Sequence, residues 1–273
     1  MAIAIDTSAR NASSGTSQSF SYTCTGTNRL LVVMTASDYA TPATAVTYNG
    51  VSLTQIDSNR TANHPINLWY LVNPASGSNT LSASGFSNAG NYVVALSFTG
   101  VKQSNPLNDN NGGTGSGTSM TRSVTTTTDN CWAVYAGTTG ATTAISASTN
   151  STLVQSAIDS HNTSALFQSG GAITPAGSFS MTFNGANATK AGIIASFAPA
   201  LIISSSDSIT MTDTLSKFVR QKVILVTDTI NIIQVTLFSA FDSITTSDVI
   251  QSFKKGWNNA TKNISNWINE DKH

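Results

Sequence analysis

Three histidines, two cysteines and a single glutamate are the main material this chain has for acid–base, nucleophilic or metal chemistry. His64 precedes Pro65 in a polar stretch, His161 lies in Asp159-Ser160-His161-Asn162, and His273 ends the chain. His64 and His161 each read as a surface loop histidine rather than a catalytic one. No GxSxG, HExxH or phosphate-binding Gly-rich loop occurs. Glu270 sits in the C-terminal tail, so a carboxylate pair elsewhere would need two aspartates, with Asp38 and Asp57 the one candidate. Cys24 and Cys131 are far apart in sequence and belong to no CxxC or Cys/His metal spacing. They read as two buried thiols in preference to a disulfide. The expected catalytic set is empty, and neither cofactor nor metal is expected.

Two oxygen-rich patterns invite a cation and are better read as backbone structure. Asn108-Asp109-Asn110-Asn111-Gly112 offers one carboxylate where a hard cation wants several. The stretch to Ser119 is low in complexity and predicts a long flexible loop. Asp207, Asp213, Asp228 and Asp242 each stand between two flanking residues of a recurring Asp-hydroxyl-aliphatic motif. An Asp before Ser or Thr at a strand end makes an Asx-turn with its own backbone. Trp69 and Tyr70 are the candidate ligand-binding pair. In Ile66-Asn-Leu-Trp-Tyr-Leu-Val72 alternation sends one ring to each face of a strand, and an exposed ring there could stack on a sugar, although packing is the favoured role.

The elements that must position these residues follow from composition. Charged residues are 10% of the chain, hydrophobic residues 40%, and Ser and Thr together about 29%, with a formal net charge of zero. Hydroxyls and amides suit short strands joined by polar turns. The largest basic cluster is Lys254-Lys255, which excludes a nucleic-acid stripe. No run approaches the 18 apolar residues of a membrane span. Met1–Asp6 has neither a basic region nor an apolar stretch of signal length, which suits a mature exported protein or a phage protein released by lysis.

Candidate strands cover Arg29–Ala36, Ala43–Asn49, Val51–Ile56, Ile66–Val72, Asn79–Ser84, Tyr92–Thr99, Cys131–Ala136, Ser178–Asn184 and Ala191–Ala198. Asn49-Gly50 between two of them predicts a two-residue hairpin turn. Phe179, Met181 and Phe183 alternate with Ser178, Ser180 and Thr182, the pattern of a half-buried strand. No helical pattern intervenes, so an antiparallel sandwich is expected over 1–199.

Beyond Pro199 the texture changes. The Asp-Ser-Ile-Thr repeat predicts a β segment over 200–246, with Val223, Leu225, Ile232, Val235 and Leu237 as apolar positions dangerous to leave unpaired. Over 247–273 Phe253, Trp257, Ile264 and Trp267 form a heptad-like seam on an amphipathic helix capped by Ser247. Its polar face is Asn-rich, so packing on a partner is preferred to membrane contact. These positions are the expected assembly residues.

The segments Val46-Thr-Tyr-Asn-Gly-Val-Ser-Leu-Thr54, Leu68-Trp-Tyr-Leu-Val-Asn-Pro74, Ala95-Leu-Ser-Phe-Thr-Gly-Val101 and Asn105-Pro106 resemble a recurrent β-sandwich domain of phage virion and bacterial surface proteins. The resemblance spans roughly residues 20–198. It implies a jelly-roll-like fold and a virion or surface setting, and it brings no catalytic residue. The expectation is a mainly β protein: an antiparallel, jelly-roll-like sandwich, then a short β-repeat segment, then a C-terminal α-helix. The expected function is that of a non-enzymatic virion subunit (capsid decoration, head fibre or tail adhesin). Its expected partners are other copies of itself as a trimer, capsid or tail proteins, and host surface glycans. The alternative is a glycan-binding module of an exported bacterial surface protein.

Overall fold

In a computed structural model of the chain, the described residues are 2–38, 41–61, 64–87, 90–158 and 162–200. Among them are fifteen strands and no helix, and all the sheets are antiparallel. The expected repeat segment (200–246), the C-terminal helix (247–273) and the assembly residues Val223, Leu225, Ile232, Val235, Leu237, Phe253, Trp257, Ile264 and Trp267 lie beyond Ala200, outside the described residues.

Nine strands make the first half: β1 (Ala4–Ser14), β2 (Ser17–Cys24), β3 (Leu30–Ser37), β4 (Ala45–Tyr48), β5 (Val51–Ser52), β6 (Thr54–Arg60), β7 (Pro65–Val72), β8 (Gly77–Ser84) and β9 (Gly90–Thr99). They form a five-stranded sheet in the order β1-β9-β3-β7-β6 and a four-stranded sheet in the order β2-β8-β4-β5. The Asn49-Gly50 turn joins β4 and β5 with both residues at positive φ, 50° and 76°, as a two-residue hairpin of this type requires. β3 is buried at every position because its sheet is covered on both faces. Leu31 and Val33 face the four-stranded sheet, meeting Tyr22, Val46, Tyr48 and Leu81. Leu30, Val32 and Met34 face the second half of the chain.

That second half holds β10 (Leu107–Thr125), β11 (Trp132–Thr139), β12 (Ser146–Ala147), β13 (Thr152–Ile158), β14 (Thr163–Gln168) and β15 (Ser178–Phe197). The flexible loop expected over Asn108–Ser119 is instead most of β10, paired residue by residue with β15. Glycines serve this strand because neighbouring side chains sit on its backbone. A Cβ on Gly112 would lie 2.1 Å from Asp57 Oδ2, and one on Gly113 would lie 2.2 Å from the Arg122 guanidinium. Over this glycine-rich stretch, backbone pairing rather than an apolar face holds the strand in place.

The two halves repeat one design. The sheet order β1-β9-β3-β7-β6 is matched by β10-β15-β11-β14-β13, and the β2–β8 pair by the far ends of β10 and β15. Both β10 and β15 run through a corner near Gly117, where the register shifts. Past it, Met120, Val124, Met181 and Phe183 fold over Tyr135 and Phe167, as Cys24 and Leu81 fold over Val33 and Trp69. Special backbone positions recur at similar spacing. Gly15 (φ 124°) matches Gly117 (φ 116°), Asn28 (52°) matches Asn130 (61°), and Asn49 (50°) matches Asn150 (53°). Asp6 Oδ2 accepts the Thr25 N–H at 2.7 Å, and Asp109 Oδ2 accepts the Thr125 N–H at 2.7 Å.

One corner device also recurs. Asn91 Nδ2 donates to the carbonyls of Gly15 (2.6 Å) and Ser87 (3.1 Å). At the matching corner Lys190 Nζ donates to the carbonyls of Gly117, Ala186 (2.5 Å) and Ala188 (3.3 Å). Both side chains are fully buried. Burial pushes the Lys190 ammonium below the usual lysine range.

The halves pack through equivalent faces of their larger sheets within one compact unit. Val32, Leu68, Val94 and Phe98 face Val134, Leu166, Ile193 and Phe197 across this seam. Strand β6 lies against β10 on one flank and β1 against β13 on the other. There Arg10 Nη1 donates to the Ser156 carbonyl at 2.5 Å. The halves thus meet as an approximate two-fold pair within one chain.

Candidate functional site

Alternation along β7 places Trp69 and Tyr70 on opposite sides of the five-stranded sheet, and both rings pack inward. Trp69 is 4% exposed, lies between the two sheets of the first half, and donates from Nε1 to Thr35 Oγ1 at 3.0 Å. Tyr70 is half-buried at the seam, its ring centroid 6.1 Å from that of Phe197. Neither ring lies flat on an outer face, so the pair supplies packing energy and no stacking platform.

The ionisable residues singled out from the sequence are spread over several jobs. Asp38 meets His64, with Oδ1 3.6 Å from Nδ1 at the end of the seam. Asp57 rests against Gly112 on the flank. Asp109 clamps Thr125, and Asn108 exchanges bonds with Thr127, donating to its Oγ1 at 2.8 Å and accepting its N–H at 3.0 Å. The Asp57, Asp109 and Asn108 side-chain oxygens therefore already hold backbone N–H donors. No group of three His, Cys, Asp or Glu side chains with metal-binding geometry occurs among the described residues. Cys24 and Cys131 are buried free thiols. Cys131 Sγ donates to the Thr128 carbonyl at 3.1 Å, and burial pushes the Cys24 thiol up. His161 and His273 lie outside the described residues.

Two concavities open along the seam. The larger, about 580 Å³, lies at the base between the linker residues Lys102 and Asn105, the turn Thr127–Asn130, and Pro199 and Ala200. The smaller, about 360 Å³, lies where the end of β6 crosses β10 and β15. Arg60 and Thr61 form one wall, and Thr114, Ser116 and Thr189 form the floor. Ser116 stands directly opposite Thr189 in the ladder. Thr114 and Ser116 alternate with Gly115 and so share the face of β10 that Gly112 turns to β6. The Arg60 guanidinium makes no hydrogen bond or ion pair among the described residues. The Thr61 hydroxyl is buried without a hydrogen-bond partner, although Thr61 is only 5% exposed.

Sequence reasoning missed this cleft, because Arg60 and Thr114–Ser116 come from different halves and only the seam joins them. No local spacing could have signalled it.

The outer face of the β10–β15 ribbon carries paired hydroxyls. Thr121 and Thr182 are 2.7 Å apart, and Ser123 and Ser180 2.8 Å. Such cross-strand pairs hold a polar sheet face together without charge.

The described residues thus define a mainly β protein of antiparallel sheets packed as sandwiches, with hydroxyl-lined surfaces. No family model, curated protein or solved structure matches the chain.

Proposed function

We propose that the chain is a non-enzymatic virion structural protein, a capsid-decoration, head-fibre or tail-adhesin subunit acting by self-assembly and surface contact. The observation that carries this reading is the strand order. Pairing β1 with β9, β2 with β8, and β3 with β7 makes a ribbon rolled between two sheets. That order supports a jelly-roll-like reading, an arrangement used by viral capsid and lectin domains. Its repetition in the second half doubles the rigid surface, and the low-charge, hydroxyl-rich composition suits a protein that works by contact.

Its partners on this reading are other copies of itself, as a trimer, and capsid or tail proteins, with host surface glycans at the outer contact. The apolar positions from Val223 to Leu237 and from Phe253 to Trp267 are the means of assembly. Light scattering of the full chain at micromolar concentration should give three times the 28.4 kDa mass. Phe253→Asp with Trp257→Asp should lower that mass while leaving the β-sheet circular dichroism unchanged. A wild-type chain that is monomeric under these conditions would count against the reading. The rival, an exported bacterial glycan-binding module, drew on Trp69 and Tyr70, and the packing of both rings removes that support.

A further inference from the structure

We infer that the cleft between β6 and the β10–β15 ladder binds an acidic saccharide, with Arg60 receiving its carboxylate. This names a chemistry for the outer contact in the proposed function and rests on that part of it.

Three observations carry the inference. First, the cleft has a built polar floor. Thr114, Ser116 and Thr189 present hydroxyls on one face of a backbone-paired ladder, which fixes their spacing. A Ser or Thr hydroxyl both donates and accepts, as sugar hydroxyls do. Second, the wall carries an uncommitted cation. Arg60 is exposed, and its side chain makes no hydrogen bond or ion pair among the described residues. Third, no carboxylate among the described residues lines the cleft. The nearest acid on the same strand, Asp57, is turned onto Gly112, and the Lys190 ammonium at the margin is tied to the corner carbonyls. The guanidinium therefore offers its planar fork to an incoming anion, the geometry that suits a carboxylate. A volume of about 360 Å³ falls at the small end of the range for ligand pockets. The second half lends the floor and the first half the wall, so the seam creates the site.

Calorimetric titration of the full chain with glucuronic acid, glucose and sodium sulfate tests this. Glucuronate should bind at least tenfold more tightly than glucose. Arg60→Gln should remove that preference, and Ser116→Tyr, which fills the floor from an exposed strand position, should abolish both titrations. Unchanged circular dichroism and melting temperature would show that each variant is folded. Equal binding of glucuronate and glucose would overturn the inference, as would wild-type affinity in Arg60→Gln. Sulfate binding as tightly as glucuronate would overturn it too, because the sugar ring would then contribute nothing. The titration reads the cleft in any oligomeric state. A monomeric chain that binds glucuronate would thus sink the assembly reading alone.

Discussion

Lys190→Met tests how the corner of the second half is held. Methionine keeps a flexible stem of similar reach and removes the ammonium. Three carbonyls, those of Gly117, Ala186 and Ala188, then lose their donor. A buried acceptor left unpaired costs about 1–3 kcal/mol. Two terms reduce the sum. The wild-type ammonium is itself desolvated, as its lowered pKa reflects, and that penalty disappears in the variant. Water can also reach some of the freed carbonyls, since Gly117 faces open space. The expected net loss is about 2–4 kcal/mol. Asn91→Ala removes two such bonds at the matching corner and should cost less, about 1–3 kcal/mol. Urea unfolding at pH 7 and fixed protein concentration measures both, from the shift in midpoint at unchanged slope. If Lys190→Met loses less than about 1 kcal/mol, carbonyl capture is not what holds the corner, and the match with Asn91 is coincidental.

Phe98 and Phe197 occupy equivalent seam positions, each 1% exposed. Phe98→Ala and Phe197→Ala should each cost about 3–5 kcal/mol in urea, within a single cooperative transition, and two separated transitions would contradict the shared seam. Tyr22 and Tyr135 are buried, and burial holds both phenols well above their ordinary range. Their contribution to stability is complete below about pH 10 and is lost above it, where unfolded phenols ionise and folded ones do not, by up to about 1.4 kcal/mol per pH unit for each. Urea midpoints between pH 8 and 11.5 should fall accordingly. Tyr135→Phe, which sacrifices only a 3.4 Å bond to the Met120 carbonyl, should make the fall shallower.

What could be read from the sequence was local. Asn49-Gly50 announced its hairpin because only small or turn-forming residues accept two successive positive φ values. Phe179, Met181 and Phe183 announced their face because β15 there is covered on one side, where all three join one cluster. Asn108–Ser119 read as a loop because a strand flanked by polar contacts on both sides shows no alternation, and its glycines meet Asp57 and Arg122 rather than a turn. The duplication stayed hidden for a related reason. The halves share backbone requirements (positive-φ Asn and Gly, one clamping Asp) more than side chains. In the inner layers size is exchanged between positions: Val33 matches Tyr135, while Trp69 matches Phe167 and Ala83 matches Phe183. Volume summed over a layer is what packing constrains, and that sum leaves little trace in aligned residue types.

The seam explains why the two halves occur as one body. The larger sheet of each half is apolar on both faces, and its smaller partner sheet, or the folded-over ribbon ends, covers only one of them. In the first half the other face presents Leu30, Val32, Met34, Leu68, Val94, Leu96 and Phe98, a contiguous surface that a soluble monomer would not leave bare. The second half offers the matching face at the matching positions. The same apposition brings edge strands together in pairs, β6 with β10 and β1 with β13, which shields their outer backbone from adding further strands. Where the crossing is tight, Gly112 admits Asp57 and the flank closes. At the end of β6, where Thr114 and Ser116 replace a larger wall, it stays open as the Arg60 cleft. One geometric fact, two sandwiches meeting through equivalent faces, thus accounts for the buried core, the protected edges and the polar site between them.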